Sequence, residues 1–469
     1  MNTHAFTKYD IRGKIGRDID TQFVYRLGHA LNDVFHPESL VIGKDVRLSS
    51  DMLEHILCSA LRECGIDVIL LGLCGTEEIS FAVQKGNFDL GVMITASHNP
   101  VDENGFKCIH RNGIPLTEEE LLSIRDSMEN WPSCMRPSQT FTSQDASLAS
   151  TASADAEKNT PCHSGFHRRV YLQWLLDYTH ATRAKPLKIV ADAGNGCAGI
   201  FLEELAKELP HTFYFLHVTP DGAFPHGVPN PLVPENRNRT AERVRETGAD
   251  LGLAWDGDFD RCFFYTNRGQ FVEGAYIVGF LAFALLQQTR GAKIIHDPRV
   301  YWNTCDLVRA ANGIPVMSRT GHALMKASMR RENAIYGGEM SAHHYFRDFA
   351  CCDSGMLPWL LVINALESLG QGLGDALAER MERFPTSGEI NIRHAHPEAV
   401  LQHIQMLFGR KAVHEDHLDG LNMEFAEWRF NLRSSNTEPV MRLNVEGRAD
   451  RALVEERTAA LLQKIQEIP

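Results

Sequence analysis

One pattern recurs three times along the chain. A β-branched run ends in a polar turn, a helix-compatible stretch follows, and two more apolar runs come after it. The first runs are SLVIGKDVR (39–47), LKIVADAGNG (187–196) and AKIIHDPR (292–299). The second are GIDVILLGL (65–73), HTFYFLHV (211–218) and GIPVMSRTG (313–321). The third are FDLGVMITASHNP (88–100), GADLGLAWDGDFD (248–260) and NAIYGGEMSAHH (333–344). Strands alternating with helices predict βαβ units built on mostly parallel sheets. Such sheets bind ligands beyond the carboxyl ends of their strands. Each third run therefore delivers a polar loop to one end of its unit, and the three loops are expected to converge.

The last part reads differently. A helix is expected over 396–411, a strand over MEFAEWRFNLR (423–433), and a last helix over 450–467, a smaller α+β domain. With 469 residues the chain is too long for one core, and three or four domains are expected. The boundaries read as 1–150, 166–262, 263–370 and 375–469. Residues 133–165 are rich in Ser, Thr, Ala and Gln, and read equally as a flexible linker or an ordered surface loop. The fold class is thus α/β, with three similar units and a C-terminal α+β domain.

Charge removes some functions. A net charge of -13 argues against nucleic acid or an anionic membrane as partner. It leaves room for a small phosphate held by local arginines. The N-terminus has no apolar core of a signal peptide. IVGFLAFALL (277–286) is too short to span a bilayer and reads as a buried helix. Eleven cysteines without a CxxC pair, two of them the adjacent Cys351 and Cys352, read as reduced thiols of a cytoplasmic protein.

Four loops carry chemistry. TASHNP (95–100) exposes Ser97 beside His98; a serine needs activation or a strong electrophile to react, and alone this is a strand-ending turn. DGDFDR (256–261) is sharper. In extended chain Asp256, Asp258 and Asp260 point one way. Converging carboxylates call for a hard divalent cation, and oxygen-only ligands suit Mg2+. Arg261 follows, placed to touch a phosphate. An EF-hand is excluded because Arg261 and Asn267 stand where Gly and Glu are required. A dehalogenase-type phosphatase usually has Thr or Val where Asp260 stands. GGEMSAHHYF (337–346) offers Glu339, Ser341 and His343, a carboxylate and hydroxyl apt for vicinal sugar hydroxyls. RSSNTEP (433–439) offers Arg433, able to grip phosphate bidentately, with nearby hydroxyls. The chain contains neither a P-loop nor GxGxxG, which argues against a nucleotide site.

These loops, in this order, resemble the serine, metal, sugar and phosphate loops of the α-D-phosphohexomutases. YDIRG (9–13), GKDVR (43–47), NGFK (104–107) and TGHALMK (320–326) resemble that family too. The resemblance spans nearly the whole chain outside 133–165, and the runs YGGEMSAHHYFRDF and FNLRSSNTEPV are most similar to its bacterial, mannose-phosphate branch on the route to GDP-mannose.

The resemblance implies four domains around a central cleft and isomerisation of mannose 6-phosphate and mannose 1-phosphate through a phosphoserine and a hexose 1,6-bisphosphate. A glucose-specific or dual-specificity enzyme is the alternative, and a Mg2+-dependent phosphatase acting through Asp256 a distant one. It implies Ser97 as phosphoserine, and Asp256, Asp258 and Asp260 with that phosphate as Mg2+ ligands. His98, Lys107 and Arg261 would serve the transfer, with Tyr9 and Arg12 lining the site. Glu339 and Ser341 would bind the sugar, with His322 and His343 as sugar-side or proton-transfer groups. Arg433, Ser435, Asn436 and Thr437 would hold the non-reacting phosphate. A hexose 1,6-bisphosphate is the expected activator, and a monomer or weak homodimer the expected assembly. Two positions depart from relatives: Ala342 follows Ser341 where many have Gly, and Arg299 stands where some have Lys. As a base, Lys107 would need a pKa lowered by burial beside Arg261 and the metal.

Overall fold

The computed structural model describes residues 3–131, 164–435 and 440–468. The Ser-rich stretch lies outside these residues except its last two positions, which begin the helix Ser164–Thr179. Asn436 and Thr437 also lie outside them.

Four sheets organise the chain. The first contains β1 (Ile11–Lys14), β2 (Ser39–Lys44), β3 (Asp67–Leu73), β4 (Leu90–Ile94), β5 (Glu103–His110) and β6 (Ile114–Pro115), in the order β1-β5-β4-β2-β3 with β6 on β5. The second contains β7 (Lys188–Asp192), β8 (Thr212–Leu216), β9 (Leu251–Trp255), β10 (Cys262–Thr266) and β11 (Phe271–Val272), ordered β11-β10-β9-β7-β8. The third contains β12 (Lys293–His296), β13 (Ile314–Met317), β14 (Tyr336–Gly338), β15 (His344–Phe346) and β16 (Cys352–Asp353), ordered β13-β12-β14-β15-β16.

Read from one edge, all three place the second run beside the first, then the third, then the strand that follows it, then an edge strand. This shared order supports the threefold pattern better than the weak similarity of the runs. In the first sheet β2 is parallel to both β3 and β4, and β5 is antiparallel to β4. The third sheet repeats this around β12, with β15 antiparallel to β14. The second sheet has a parallel pair, β7 with β8, and an antiparallel pair, β10 with β11, so all three sheets are mixed. In the first and third, the functional loop is the turn from a parallel third strand into an antiparallel fourth.

The fourth sheet is antiparallel: β17 (Ile390–Ile392), β18 (His414–Asp416), β19 (Leu421–Glu424), β20 (Trp428–Ser434) and β21 (Met441–Gly447), ordered β17-β21-β20-β19-β18. The helices Pro397–Phe408 and Arg451–Gln466 accompany it, with Val400, Ile404, Val454 and Leu461 in its core. The single strand expected over 423–433 is two strands, β19 and β20, joined by a tight turn in which the Phe425 amide donates to the Trp428 carbonyl at 2.8 Å. Apolar residues flank this turn on both sides, so the run reads as continuous.

Local chemistry explains the elements. β4 is buried along its whole length, as a strand covered on both faces must be. The helix Gly274–Gln288 contains the apolar run 277–286 and buries most of it. None of the described helices is long and apolar enough to cross a membrane. The chain forms two compact units. One comprises Met1–Thr240, Leu253–Cys262 and Ser354–Leu357; the other comprises Ala241–Gly252, Phe263–Asp353 and Pro358–Pro469.

Candidate active site

The first unit holds the serine and metal loops. β4 ends at Ile94, and Ser97 follows in the left-handed region with φ 51°, a backbone state costly for a non-glycine residue. Surrounding bonds hold it there. The Ser97 amide donates to Thr95 Oγ1 at 2.8 Å, Thr95 Oγ1 donates to Asp45 Oδ2 at 2.7 Å, and Arg47 Nη2 donates to the Ser97 carbonyl at 3.0 Å. Asp45 and Arg47 sit just past β2, the parallel neighbour of β4, so both strand ends build one cradle.

The serine hydroxyl meets the metal loop directly. Ser97 Oγ donates to Asp256 Oδ2 at 2.9 Å. Gly257 is required here, since a Cβ would stand 2.7 Å from the Ser97 carbonyl. The three aspartates converge, but by a turn. Phe259 takes φ 43° and buries its ring, so the loop folds back where the sequence suggested side chains alternating along an extended strand. One oxygen from each carboxylate lies within 4.8 Å of the others, and all three residues are buried.

Two cations answer three carboxylates at hydrogen-bond range. Arg261 Nε and Nη2 donate to Asp256 Oδ2 at 2.8 and 2.7 Å. Lys107 Nζ donates to Asp258 Oδ2 and Asp260 Oδ2, both at 2.7 Å. One negative charge is left over. Burial, with Asp260 and Asp258 adding to it and Arg261 opposing, pushes the Asp256 carboxyl up to about 7. Burial also opposes ionisation of Asp258, but Lys107 and a hydrogen bond from Thr76 outweigh it and hold that carboxyl well below its usual range. Asp258 Oδ1 is buried with no hydrogen-bond partner. An orphaned oxygen, an excess negative charge and an all-oxygen donor set fit Mg2+.

The Lys107 pKa is expected to be lowered beside a metal, and with the carboxylates facing it directly the direction is the opposite. Burial does favour the neutral amine, but the paired carboxylates win and the ammonium is held above its ordinary value. His98 Nδ1 lies 3.1 Å from Ser97 Oγ and 2.6 Å from Arg261 Nη2. A guanidinium can only donate, so Nδ1 is an unprotonated acceptor. Arg12 Nη1 donates to Asn99 Oδ1 at 3.0 Å while Nε donates to Asp10 Oδ2 at 2.8 Å, so it flanks the serine loop. Tyr9, with a buried hydroxyl, directly precedes Asp10.

The second unit holds the sugar and phosphate loops. Glu339 Oε1 accepts from the Gly321 amide at 2.8 Å, and Oε2 accepts from Tyr345 Oη at 2.6 Å. The Met340 amide donates to Asp297 Oδ2 at 3.0 Å, and Ser341 is buried. His343 Nδ1 lies 3.3 Å from Asp353 Oδ2, and Lys326 Nζ lies 2.7 Å from Asp353 Oδ1. His322 opens the helix His322–Glu332. Arg299 is fully buried and paired with Asp297 and Glu389. Arg433 is buried with Nε 3.7 Å from Asp419 Oδ2, and Asp419 Oδ2 also accepts from the Thr320 amide at 3.1 Å. The Ser435 amide donates to the Val440 carbonyl at 2.8 Å.

Residue-type reasoning did not single out Thr76, Asp45, Thr95, Tyr345, Asp353 or Asp419. Asp45 and Arg47 had one usable signal, their place at the end of a β-branched run in GKDVR. Thr95 and Tyr345 lie inside the quoted loops TASHNP and GGEMSAHHYF, whereas Thr76, Asp353 and Asp419 are buried partners of functional groups outside them.

Comparisons with known proteins agree along the chain. Four models match in order: phosphoglucomutase/phosphomannomutase alpha/beta/alpha domain I over residues 3–133, domain II over 169–269, domain III over 273–384, and the C-terminal domain over 389–464. The chain is 46% identical over 459 residues to "Phosphohexose mutases" of Xanthomonas campestris pv. campestris, covering 98% of each. It is 47% identical over 468 residues to a phosphomannomutase of Salmonella typhimurium, again covering 98% of each. Among solved structures, a phosphoglucomutase/phosphomannomutase family protein of Burkholderia thailandensis superposes with a TM-score of 0.80 at 27% identity, covering 98% of this chain and 97% of that one.

Proposed function

From the premise that this chain belongs to the phosphoglucomutase/phosphomannomutase family, we propose that it is a phosphomannomutase acting through phosphorylated Ser97. The observation that carries this is the Ser97 hydroxyl, 2.9 Å from Asp256 in a buried aspartate triad whose three carboxylates meet only two cations at hydrogen-bond range. Glucose phosphates are the alternative substrates, since mannose and glucose differ only at O2.

Phosphoryl transfer needs positioning and charge neutralisation more than covalent chemistry from the protein. Asp256, Asp258 and Asp260, with the serine phosphate, would hold Mg2+, which neutralises and polarises that phosphate when bound. A sugar hydroxyl then attacks phosphorus, its O–P bond forms, and the Ser97 Oγ–P bond breaks. The hydroxyl proton is lost and Ser97 Oγ gains one. The product is a hexose 1,6-bisphosphate, which turns over and returns its other phosphate to Ser97; a supply of the same compound is the activator.

Lys107 enters this cycle as a charged ammonium, able to give a proton or neutralise developing charge. It is a poor base while both aspartates face it. Arg261 locks Asp256 and caps His98 Nδ1, and Arg12 borders the serine loop, where Tyr9 would join it. Glu339, Ser341, His343 and His322 take the sugar, and Arg433, Ser435, Asn436 and Thr437 the second phosphate. Glu339 offers the sugar only the lone pairs left by Gly321 and Tyr345. The four-domain division, a cytoplasmic location and a monomer or weak homodimer complete the reading.

Peptide mapping tests it. Incubation with a hexose 1,6-bisphosphate should add one phosphoryl group at Ser97, and mannose 6-phosphate should remove it. Labelling elsewhere, or none, would contradict the proposal.

A further inference from the structure

Asp258 has two unlike oxygens. Oδ2 accepts from Lys107 Nζ at 2.7 Å and from Thr76 Oγ1 at 2.6 Å, which fills its in-plane lone pairs. Oδ1 is buried with no partner. Thr76 also holds the backbone of the same residue, its amide donating to the Asp258 carbonyl at 3.0 Å.

Thr76 is buried and opens the helix Thr76–Gly86. Its β-branched side chain has few rotamers, and the positive end of the helix favours a nearby carboxylate. The residue before it is glycine because the metal loop packs on this turn: a Cβ at Gly75 would stand 2.2 Å from the Phe259 ring. The helix start and the metal loop thus meet at backbone, side chain and ring.

We propose that Thr76 is a positioning residue for the metal. Its hydroxyl, with Lys107, holds Asp258 Oδ2 so that Oδ1 is the oxygen offered to a divalent cation. The proposal rests on the reading that the aspartate loop binds Mg2+. The Thr76 hydroxyl touches none of the reacting groups, so its effect runs through Asp258. A partner that orients a metal ligand is worth roughly 10–100-fold in metal affinity.

The test is a titration with Mn2+, following the electron paramagnetic resonance signal of the free ion, for wild type, Thr76→Val and Thr76→Ser. Thr76→Val should weaken Mn2+ binding about tenfold or more, and Thr76→Ser should return it to within about threefold of wild type. Melting in excess EDTA separates structure from positioning: a purely structural residue lowers the melting temperature and leaves the Mn2+ Kd alone. If Thr76→Val does not fold, Thr76→Ala takes its place. A Kd for Thr76→Val within about threefold of wild type, or Thr76→Ser as weak as Thr76→Val, would overturn the proposal. Wild type that fails to bind Mn2+ would instead overturn the metal reading beneath it.

Discussion

The metal loop and the sugar loop each sit at the end of a third strand, yet their electrostatics are opposite. At the metal loop, three carboxylates meet two cations and Asp258 Oδ1 is orphaned. At the sugar loop, charges are answered internally: Glu339 by Gly321 and Tyr345, Asp353 by Lys326, and Arg299 by Asp297 and Glu389. The same kind of loop therefore carries an excess of carboxylates in one case and charges with partners in the other. Chemistry that gathers charge needs the first kind. On the assignment proposed above, recognition of a neutral sugar would use the second, because an unsatisfied buried charge would penalise a ligand that cannot answer it.

The sharpest way to break this contrast is Asp258→Asn. Removing a ligand charge should lower kcat/KM by roughly a thousandfold, the several kcal/mol a bound metal contributes. Retained activity would mean that the excess charge is incidental. Next comes Arg433→Ala in the second unit. Loss of a charge-assisted contact worth about 1.5–3 kcal/mol should raise KM roughly 10–100-fold and change kcat little. An equal fall in kcat would place Arg433 in the chemistry. Smaller again is hydrogen exchange with and without Mg2+. Exchange should slow over 254–262 and stay unchanged over 337–344, and equal slowing at both would erase the difference.

The smallest effect concerns Glu77, buried in the first unit, where the Gly355 and Met356 amides donate to it at 2.8 and 3.3 Å. Burial raises its carboxyl to about 8, with those hydrogen bonds partly opposing. Folding therefore favours the protonated form. The stabilising contribution is full below the ordinary carboxylate range and is lost as pH rises through about 8. Glu77→Gln should leave the melting temperature near wild type at acidic pH and raise it by a few degrees above pH 8. Parallel pH curves would contradict the assignment.

Sequence reading reached the loops because strand ends in βαβ units are marked by β-branched runs breaking into polar turns. It found Ser97, the aspartates and Arg261 by residue type, and the structure brings these together with His98 and Lys107. It misjudged how the aspartates converge, because Phe259 turns the chain back where alternation suggested an extended strand. The sign of the Lys107 shift depended on two carboxylates about 150 residues away in sequence, paired with it only by folding. Thr76 was invisible for the same reason: its hydrogen bond to Asp258 spans 182 positions. The break between β19 and β20 was hidden by apolar residues on both sides of the turn.

The central claim is that Ser97 carries the phosphate. It is tested by turnover of mannose 1-phosphate and glucose 1-phosphate to their 6-phosphates, with Mg2+ and a catalytic amount of bisphosphate, for wild type and Ser97→Ala. The account predicts isomerisation by wild type, mannose preferred, and a loss of at least about a thousandfold in the variant, the scale of a missing nucleophile. Failure of wild type to isomerise either sugar, or activity that survives in Ser97→Ala, would contradict it.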